Sequence, residues 1–435
     1  MIRLVRTGSF PHLTEKCTNG FSDRVQIKEF FAKEVKQYKG TEFTVDLTAL
    51  VEEKGLSYVS DAVEGMLLGT FEAEHFPPRK SKKWEIEITG LPVEAEEIVR
   101  ETEALVEGVT WTRNMTNRPG NLLHPADFLR EVQNLFSGLS AGVKVEVEAL
   151  DVQKLKELGM NALLGVGMSS YYAPYLCVIR YRGNPGDDRI TGLVGKGVTV
   201  DTGGYCLKSR ESMVSIKGDM AGGAAVAGAI YALAKNRKQT NVVGLIPMVE
   251  NRISSGSMLP GDVITSYSGK TIEIIDTDAE GRLILADAVS YAVRNEHVSR
   301  VLDIATLTGA VCTSLGFGAA GMLSDNGEFC REFERAYEKS GERYVRFPIY
   351  EEYERMIQSE IADVKNVGGK FAGSITAGLF IREFAEQTPW IHLDIAGSAW
   401  VDPPVFEYQS KGASGAGVTS MYYLCAQDDR AAARP

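Results

Sequence analysis

From residue 117 onward the chain alternates short apolar runs with longer amphipathic stretches. The runs predict strands over 144–148, 176–181, 191–200, 242–249, 301–304 and 391–395. The stretches between them predict helices over 127–137, 220–235, 282–294, 328–340 and 375–386. Strand and helix in turn imply an α/β fold, with a mainly parallel twisted sheet flanked by helices. Earlier in the chain the pattern is different. Residues 1–91 read as a smaller α/β domain, with helical charge patterning over 24–38, and residues 93–112 are rich in Glu with apolar positions at helical spacing. The expected organisation is a small domain over 1–91, a connecting helix over 92–114 and a large domain over 115–435. Residues 77–83 read as a solvated basic loop, and the alanine-rich tail over 426–435 as a fraying end.

Two places break the pattern in ways that suggest chemistry. The run Leu193 to Val200 has the composition of a buried strand, yet Lys196 stands inside it between Gly195 and Gly197. A lysine in a core strand is costly unless it is neutralised or bound. Asp201 closes the run, Gly203 and Gly204 turn the chain, and Lys208 and then Lys217-Gly218-Asp219-Met220 follow. The small residues from Ala221 to Ala234 would let the next helix approach a sheet closely. The second place is Asp276-Thr277-Asp278-Ala279-Glu280-Gly281-Arg282, placed between an apolar run and a largely apolar helix. In extended backbone Asp278 and Glu280 point to one side. They repel each other unless a cation lies between them, and either Arg282 or a metal could supply it. Acidic residues are also favoured at a helix N-terminus. A phosphate loop is excluded by order, since neither Gly-x-x-x-x-Gly-Lys-Ser/Thr nor Gly-x-Gly-x-x-Gly is present.

Together these runs resemble the leucyl aminopeptidase family, cytosolic peptidases with two metal ions. Residues 276–283 match a family run close to Asn-Thr-Asp-Ala-Glu-Gly-Arg-Leu, with Asp276 where the family usually has Asn. Residues 195–204, Lys208 and residues 217–220 match further runs. So do Asn117 to Asn121, Thr306 to Ala310, Asp363 to Gly369, Trp390 to Gly397 and Gly412 to Val418. The resemblance spans roughly residues 110–425. It implies five metal ligands: Lys196, Asp201, Asp219, Asp278 and Glu280. Lys196, Asp201 and Asp219 would hold the looser ion, and Asp201, Asp219, Asp278 and Glu280 would be shared or hold the second. It also implies that Lys208 stabilises the oxyanion and that Arg282 holds a bicarbonate acting as base. Ile216, Asn251, Thr306, Leu307, Gly309, Ala396 and Ala399 would surround the substrate. The expected function is hydrolysis of leucine-like, apolar residues from the free N-terminus of peptides, by a homohexamer.

Four carboxylates carry about the charge of two divalent cations, and one neutral amine completes the set. Paired ions of this kind activate water and polarise the carbonyl it attacks. No histidine enters the runs, so ligand softness leaves zinc, manganese, magnesium and cobalt open. A phosphatase or nuclease could share the carboxylates but would not explain a lysine ligand. A non-catalytic binding or scaffold protein on the same fold is the alternative. Such a relative should have lost one of Lys196, Asp201, Lys208, Asp219, Asp278, Glu280 or Arg282, and this chain keeps them all.

Composition adds bounds. The 435 residues exceed one small core, so two domains are expected. The formal charge of −11 argues against nucleic acid as a main partner. No apolar stretch approaches the ~20 residues that span a membrane, and the first residues lack a signal-peptide core. Six cysteines without paired spacing, Cys17 and Cys206 among them, read as reduced thiols of a cytoplasmic protein.

Overall fold

A computed structural model describes residues 2–13, 20–140 and 142–426. Cys17 and the tail from residue 427 lie outside the described residues. Strands Ile2–Leu4, Glu42–Asp46 and Glu85–Thr89 form a three-stranded, all-parallel sheet. Helices Arg24–Gln37 and Val59–Gly69 pack with it around Ile27, Phe31, Phe43, Val63, Met66 and Ile86. The helix expected over 93–112 runs Ala95–Asn117. It lies against helix Ala221–Lys235 so closely that a Cβ on Gly108 would stand 2.4 Å from the Gly228 carbonyl oxygen. Here the small residues serve helix-on-helix contact as well as contact with the sheet.

Nine strands make the large sheet. Across it run Tyr344–Arg346, Ala320–Leu323, Trp390–Asp394, Arg300–Ala305, Thr191–Gly195, Asn241–Asn251, Tyr175–Arg182 and Val145–Leu150, and the ninth, Gly197–Asp201, pairs in parallel with Asn241–Asn251. The central pairings of Trp390–Asp394, Arg300–Ala305, Thr191–Gly195 and Asn241–Asn251 are parallel, and antiparallel pairs flank them. Period-two alternation separates two cores. Cys177, Ile179, Leu193, Leu302 and Ile391 face helices Ala221–Lys235, Gly327–Ser340 and Val418–Cys425. Val178, Val194, Leu245 and Val301 face helices Glu280–Arg294 and Gly373–Arg382. Strands buried on both faces read as continuous apolar runs, which is why they were legible in the sequence.

Three expectations are corrected. The strand expected over 191–200 is two strands, Thr191–Gly195 and Gly197–Asp201, broken at Lys196. The Lys196 N–H still donates to the Ile304 carbonyl of the neighbouring strand at 3.1 Å, while pairing with Asn241–Asn251 lapses between Val194 and Gly197. Nor does extended backbone join Asp278 to Glu280. The short strand Thr271–Glu273 belongs to a separate three-stranded sheet, and Glu280 is the first residue of helix Glu280–Arg294. The helix expected over 375–386 ends at Arg382.

Candidate metal centre and cavity

The candidate residues gather at the carboxyl ends of the parallel strands, where open α/β sheets bind ligands. Lys196 follows Thr191–Gly195, Asp201 ends Gly197–Asp201, Asn251 ends Asn241–Asn251, Thr306 follows Arg300–Ala305 and Asp394 ends Trp390–Asp394. Gly203 and Gly204, at φ +86° and +62°, turn the chain back over Asp201, and the Gly203 N–H donates to Asp201 Oδ1 at 2.9 Å. The positive φ is why glycine stands there. Asn251 Nδ2 donates to the same oxygen at 2.9 Å and to the Thr277 carbonyl at 3.0 Å, tying Asp201 to the loop that carries Asp278. Thr277 Oγ1 donates to the Gly203 carbonyl at 2.7 Å.

Lys196 reaches into the cluster past Gly281, where a Cβ would come within 2.7 Å of its Nζ. The ammonium lies 2.7 Å from Asp219 Oδ2 and 2.8 Å from Glu280 Oε1, and donates to the Thr306 carbonyl at 3.1 Å. Lys208 stands 2.7 Å from Asp201 Oδ2 and pairs with Asp278. Asp219 Oδ1 accepts from Thr306 Oγ1 at 2.7 Å. Arg282 is buried; its Nη1 donates to the Asn366 carbonyl at 2.7 Å, while its Nε has no hydrogen-bond partner.

The electrostatics are those of crowded like charges. Burial, with Asp201 and Glu280 nearby, raises Asp278 to about 7. Burial and neighbouring carboxylates also raise Asp219 and Glu280. Asp201 is lowered, because Lys208, Lys196 and the Gly203 N–H outweigh its burial. Burial opposes the charged form of Lys196, yet Asp219, Glu280 and Asp201 raise it above the ordinary amine value. Burial lowers Arg282 to about 10. The donor set fits divalent cations on two counts. Asp201, Asp278 and Glu280 each offer a carboxylate oxygen, all within 4.8 Å of one another. Glu280 Oε2 is buried without a hydrogen-bond partner, a costly state for a carboxylate oxygen unless a cation meets it.

A cavity of about 520 Å³ opens above the cluster. Lys196, Asp201, Lys208, Asp219, Asp278 and Arg282 line it, as do Ile216, Thr306, Leu307, Gly309 and Ala396. Asn251 and Ala399 stand outside that lining. Asn251 sits behind Asp201, and Ala399 is buried with its N–H on the Ile395 carbonyl at 2.8 Å. Two organising residues carried no assigned role in the sequence. Buried Asp394 accepts from the Leu307, Thr308 and Ala396 N–H groups and, at 2.6 Å, from Thr308 Oγ1. Asn366 brackets residues 275–279, accepting from the Ile275 N–H at 2.8 Å and donating to the Asp276 carbonyl at 2.6 Å. A carboxylate closing an apolar strand was the available signal for Asp394, as it was for Asp201. A second cavity, about 340 Å³, opens at the opposite ends of the strands, beside the Arg300–Glu332 ion pair, and holds none of the candidate residues.

Fold and site together define an α/β protein with a carboxylate-and-lysine cluster at the strand ends. The family model "Cytosol aminopeptidase family, catalytic domain" matches residues 110–422. A "Probable cytosol aminopeptidase" of Clostridium perfringens (strain 13 / Type A) is 41% identical over 414 residues, 92% of this chain and 82% of that protein. One of Solibacter usitatus (strain Ellin6076) is 42% identical over 379 residues, 86% of this chain and 77% of that protein. Among solved structures, bottromycin maturation enzyme BotP aligns with a TM-score of 0.85 at 29% identity, covering 94% of this chain and 88% of that one. BotP in complex with Mn aligns at 0.86 with the same identity and coverage. The chain therefore belongs to the cytosol aminopeptidase family.

Proposed function

We propose that this protein is a metal-dependent aminopeptidase that removes apolar, leucine-like residues from peptides with a free N-terminus. The observation that carries the reading is the convergence of Asp201, Asp219 and Asp278 with Lys196 and Lys208 in the lining of one cavity, with buried Glu280 paired to Lys196. Lys196, Asp201 and Asp219 would hold one divalent ion. Asp201, Asp219, Asp278 and Glu280 would share or hold a second, zinc or manganese before magnesium or cobalt. Ions bound there supply Lewis acidity and a lowered pKa for water.

The chain's own groups do the rest. Lys208, at the Asp201–Asp278 end, meets negative charge that develops on the peptide carbonyl oxygen. Arg282, buried with an unpartnered Nε, holds a small anion; bicarbonate is the one proposed, and it would carry the proton from water toward the leaving amine. Ile216, Thr306, Leu307, Gly309 and Ala396 wall the first side chain, with Asp394 fixing the Leu307–Thr308 and Ala396 segments. Asn251 acts one step back, by orienting Asp201. We further propose a cytoplasmic homohexamer in which residues 1–91 form the small domain, 92–114 the connecting helix and 115–435 the catalytic domain. Among the described residues no helix is long and apolar enough to cross a membrane.

The test is hydrolysis of a panel of aminoacyl substrates and N-blocked controls, before and after chelation. The reading expects cleavage of free-amine substrates only, lost on chelation and restored by zinc, manganese or cobalt. No cleavage by metal-loaded protein would leave a binding or scaffold protein. Light scattering that shows only monomer at active concentrations would remove the hexamer.

A further inference from the structure

The cavity has two chemically different ends. At one, Thr306 holds Asp219, and the wall contributed by Ile216, Gly309 and Ala396 carries no charge. At the other, Lys208 spans Asp201 and Asp278, and the wall is Asp276, Ala279, Val367 and Gly369. Asp276 is the position at which this chain departs from the family run. Its backbone is fixed: the carbonyl accepts from Asn366 Nδ2 at 2.6 Å and the N–H donates to Asn366 Oδ1 at 3.3 Å. Its Oδ1 accepts the Asp278 N–H at 2.8 Å. An asparagine oxygen could accept that bond equally well, so holding the loop does not require the acid. What the acid adds is a charge on the cavity wall. Oδ2 has neither a hydrogen bond nor an ion pair among the described residues, and the side chain is half-exposed. Arg282 feels the charge through space but makes no direct ion pair with it.

We propose that Asp276 is a specificity-determining residue that recognises a cationic side chain, lysine or arginine, on the second residue of the peptide, just beyond the bond that is cut. The inference rests on the aminopeptidase reading. A first residue seated against the uncharged wall directs the chain past Asp278 toward Asp276. A Lys or Arg there meets an unpaired carboxylate, whereas a Glu meets like charge beside Asp278.

The experiment compares kcat/KM for Leu-Lys, Leu-Met and Leu-Glu on the wild type and on Asp276→Asn. The quantity read is the Leu-Lys to Leu-Met ratio, in which any general loss of the variant cancels. The ratio should fall about fivefold in the variant, the upper range for a part-exposed ion pair, and Leu-Glu should gain relative to Leu-Met. On the wild type alone the ratio should shrink as salt is raised to about 0.5 M, because screening weakens such a pair; this arm holds even if the variant folds poorly. A ratio unchanged by both the substitution and salt overturns the role of Asp276 while leaving the peptidase intact. Failure of the metal-loaded wild type to cleave any of the three dipeptides overturns the aminopeptidase reading, and this one with it.

Discussion

Gly281→Ala is the substitution whose outcome the geometry decides most sharply. Gly281 lies in the first turn of helix Glu280–Arg294, where alanine would ordinarily stabilise by up to about 1 kcal/mol. Its added Cβ, however, would stand 2.6 Å from Lys196 Cε and 2.7 Å from Nζ. Ordinary contact begins near 3.4 Å, so the ammonium must retreat by about 0.7 Å. Lys196 is only 3% exposed, and its Nζ is held at 2.7, 2.8 and 3.1 Å by Asp219, Glu280 and the Thr306 carbonyl. A retreat of that size breaks at least one of these contacts. Breaking a buried ion pair costs roughly 3–5 kcal/mol when one charge is left unmatched, which exceeds the helix gain. The expected net loss in metal-free protein is about 2–4 kcal/mol; in metal-loaded protein, where Lys196 would be a neutral ligand, the looser ion is displaced and hydrolysis falls at least about 100-fold. Urea unfolding of stripped protein, and metal content and aminoacyl-substrate kinetics of loaded protein, read all three. Gly309→Ala is the control: it lines the cavity with nothing within 4 Å of its Cβ, so stability should hold. A Gly281→Ala protein as stable and as active as the wild type, with its metal complement intact, would refute the placement of Lys196.

Three further outcomes follow. Lys208→Ala should keep its metals and fold while kcat falls by ~10²–10³-fold, the usual cost of an oxyanion donor, and Arg282→Ala should likewise lower kcat with metals retained; metal loss in either would reassign the residue. The kcat/KM should rise from neutral into mildly alkaline pH, because the substrate amine, with a reference pKa of ~7.7–8.0, must be neutral to bind a metal; a maximum near pH 5 with metals retained would exclude an amine ligand. Asp61, raised by burial to about 6 despite Lys28 and Arg24, favours its protonated form in the folded protein. Its contribution is therefore full below its ordinary value of 3.8 and is lost as pH rises through about 6. Relative to Asp61→Asn, the wild type should lose up to about 3 kcal/mol between pH 4 and 7. Urea midpoints that keep a constant gap across that range would contradict it.

What was legible in the sequence was whatever local pattern determines. The double-faced burial of the central strands appears as unbroken apolar runs, so their presence and approximate limits could be read. Lys196 and Asp201 stood out because charge inside or at the end of such a run needs an explanation. The break at Lys196 was not legible, because it depends on the pairing with Asn241–Asn251 lapsing between Val194 and Gly197. The convergence of Asp278 and Glu280 was expected for the wrong local reason. It comes from a turn held by Asn366 and a helix start, not from extended backbone. Asn251 was expected around the substrate from its match to a family Asn near the metal site, and its contacts lie with Asp201 and Thr277. Asp394 needed the register of Trp390–Asp394 beside Arg300–Ala305 before its reach to Leu307 and Thr308 could be seen.

The central claim is that Asp201, Asp219, Asp278 and Glu280, with Lys196, hold the metals that make this chain a peptidase. Its most direct test is the number of manganese ions bound per chain at equilibrium, measured by elemental analysis after dialysis. Wild type and Glu280→Gln are compared, with Leu-peptide hydrolysis followed on the same samples. The account predicts two ions in the wild type, and loss of at least one together with activity in Glu280→Gln. Full hydrolysis by wild-type protein stripped of metal, or by Glu280→Gln at undiminished metal content, would contradict it.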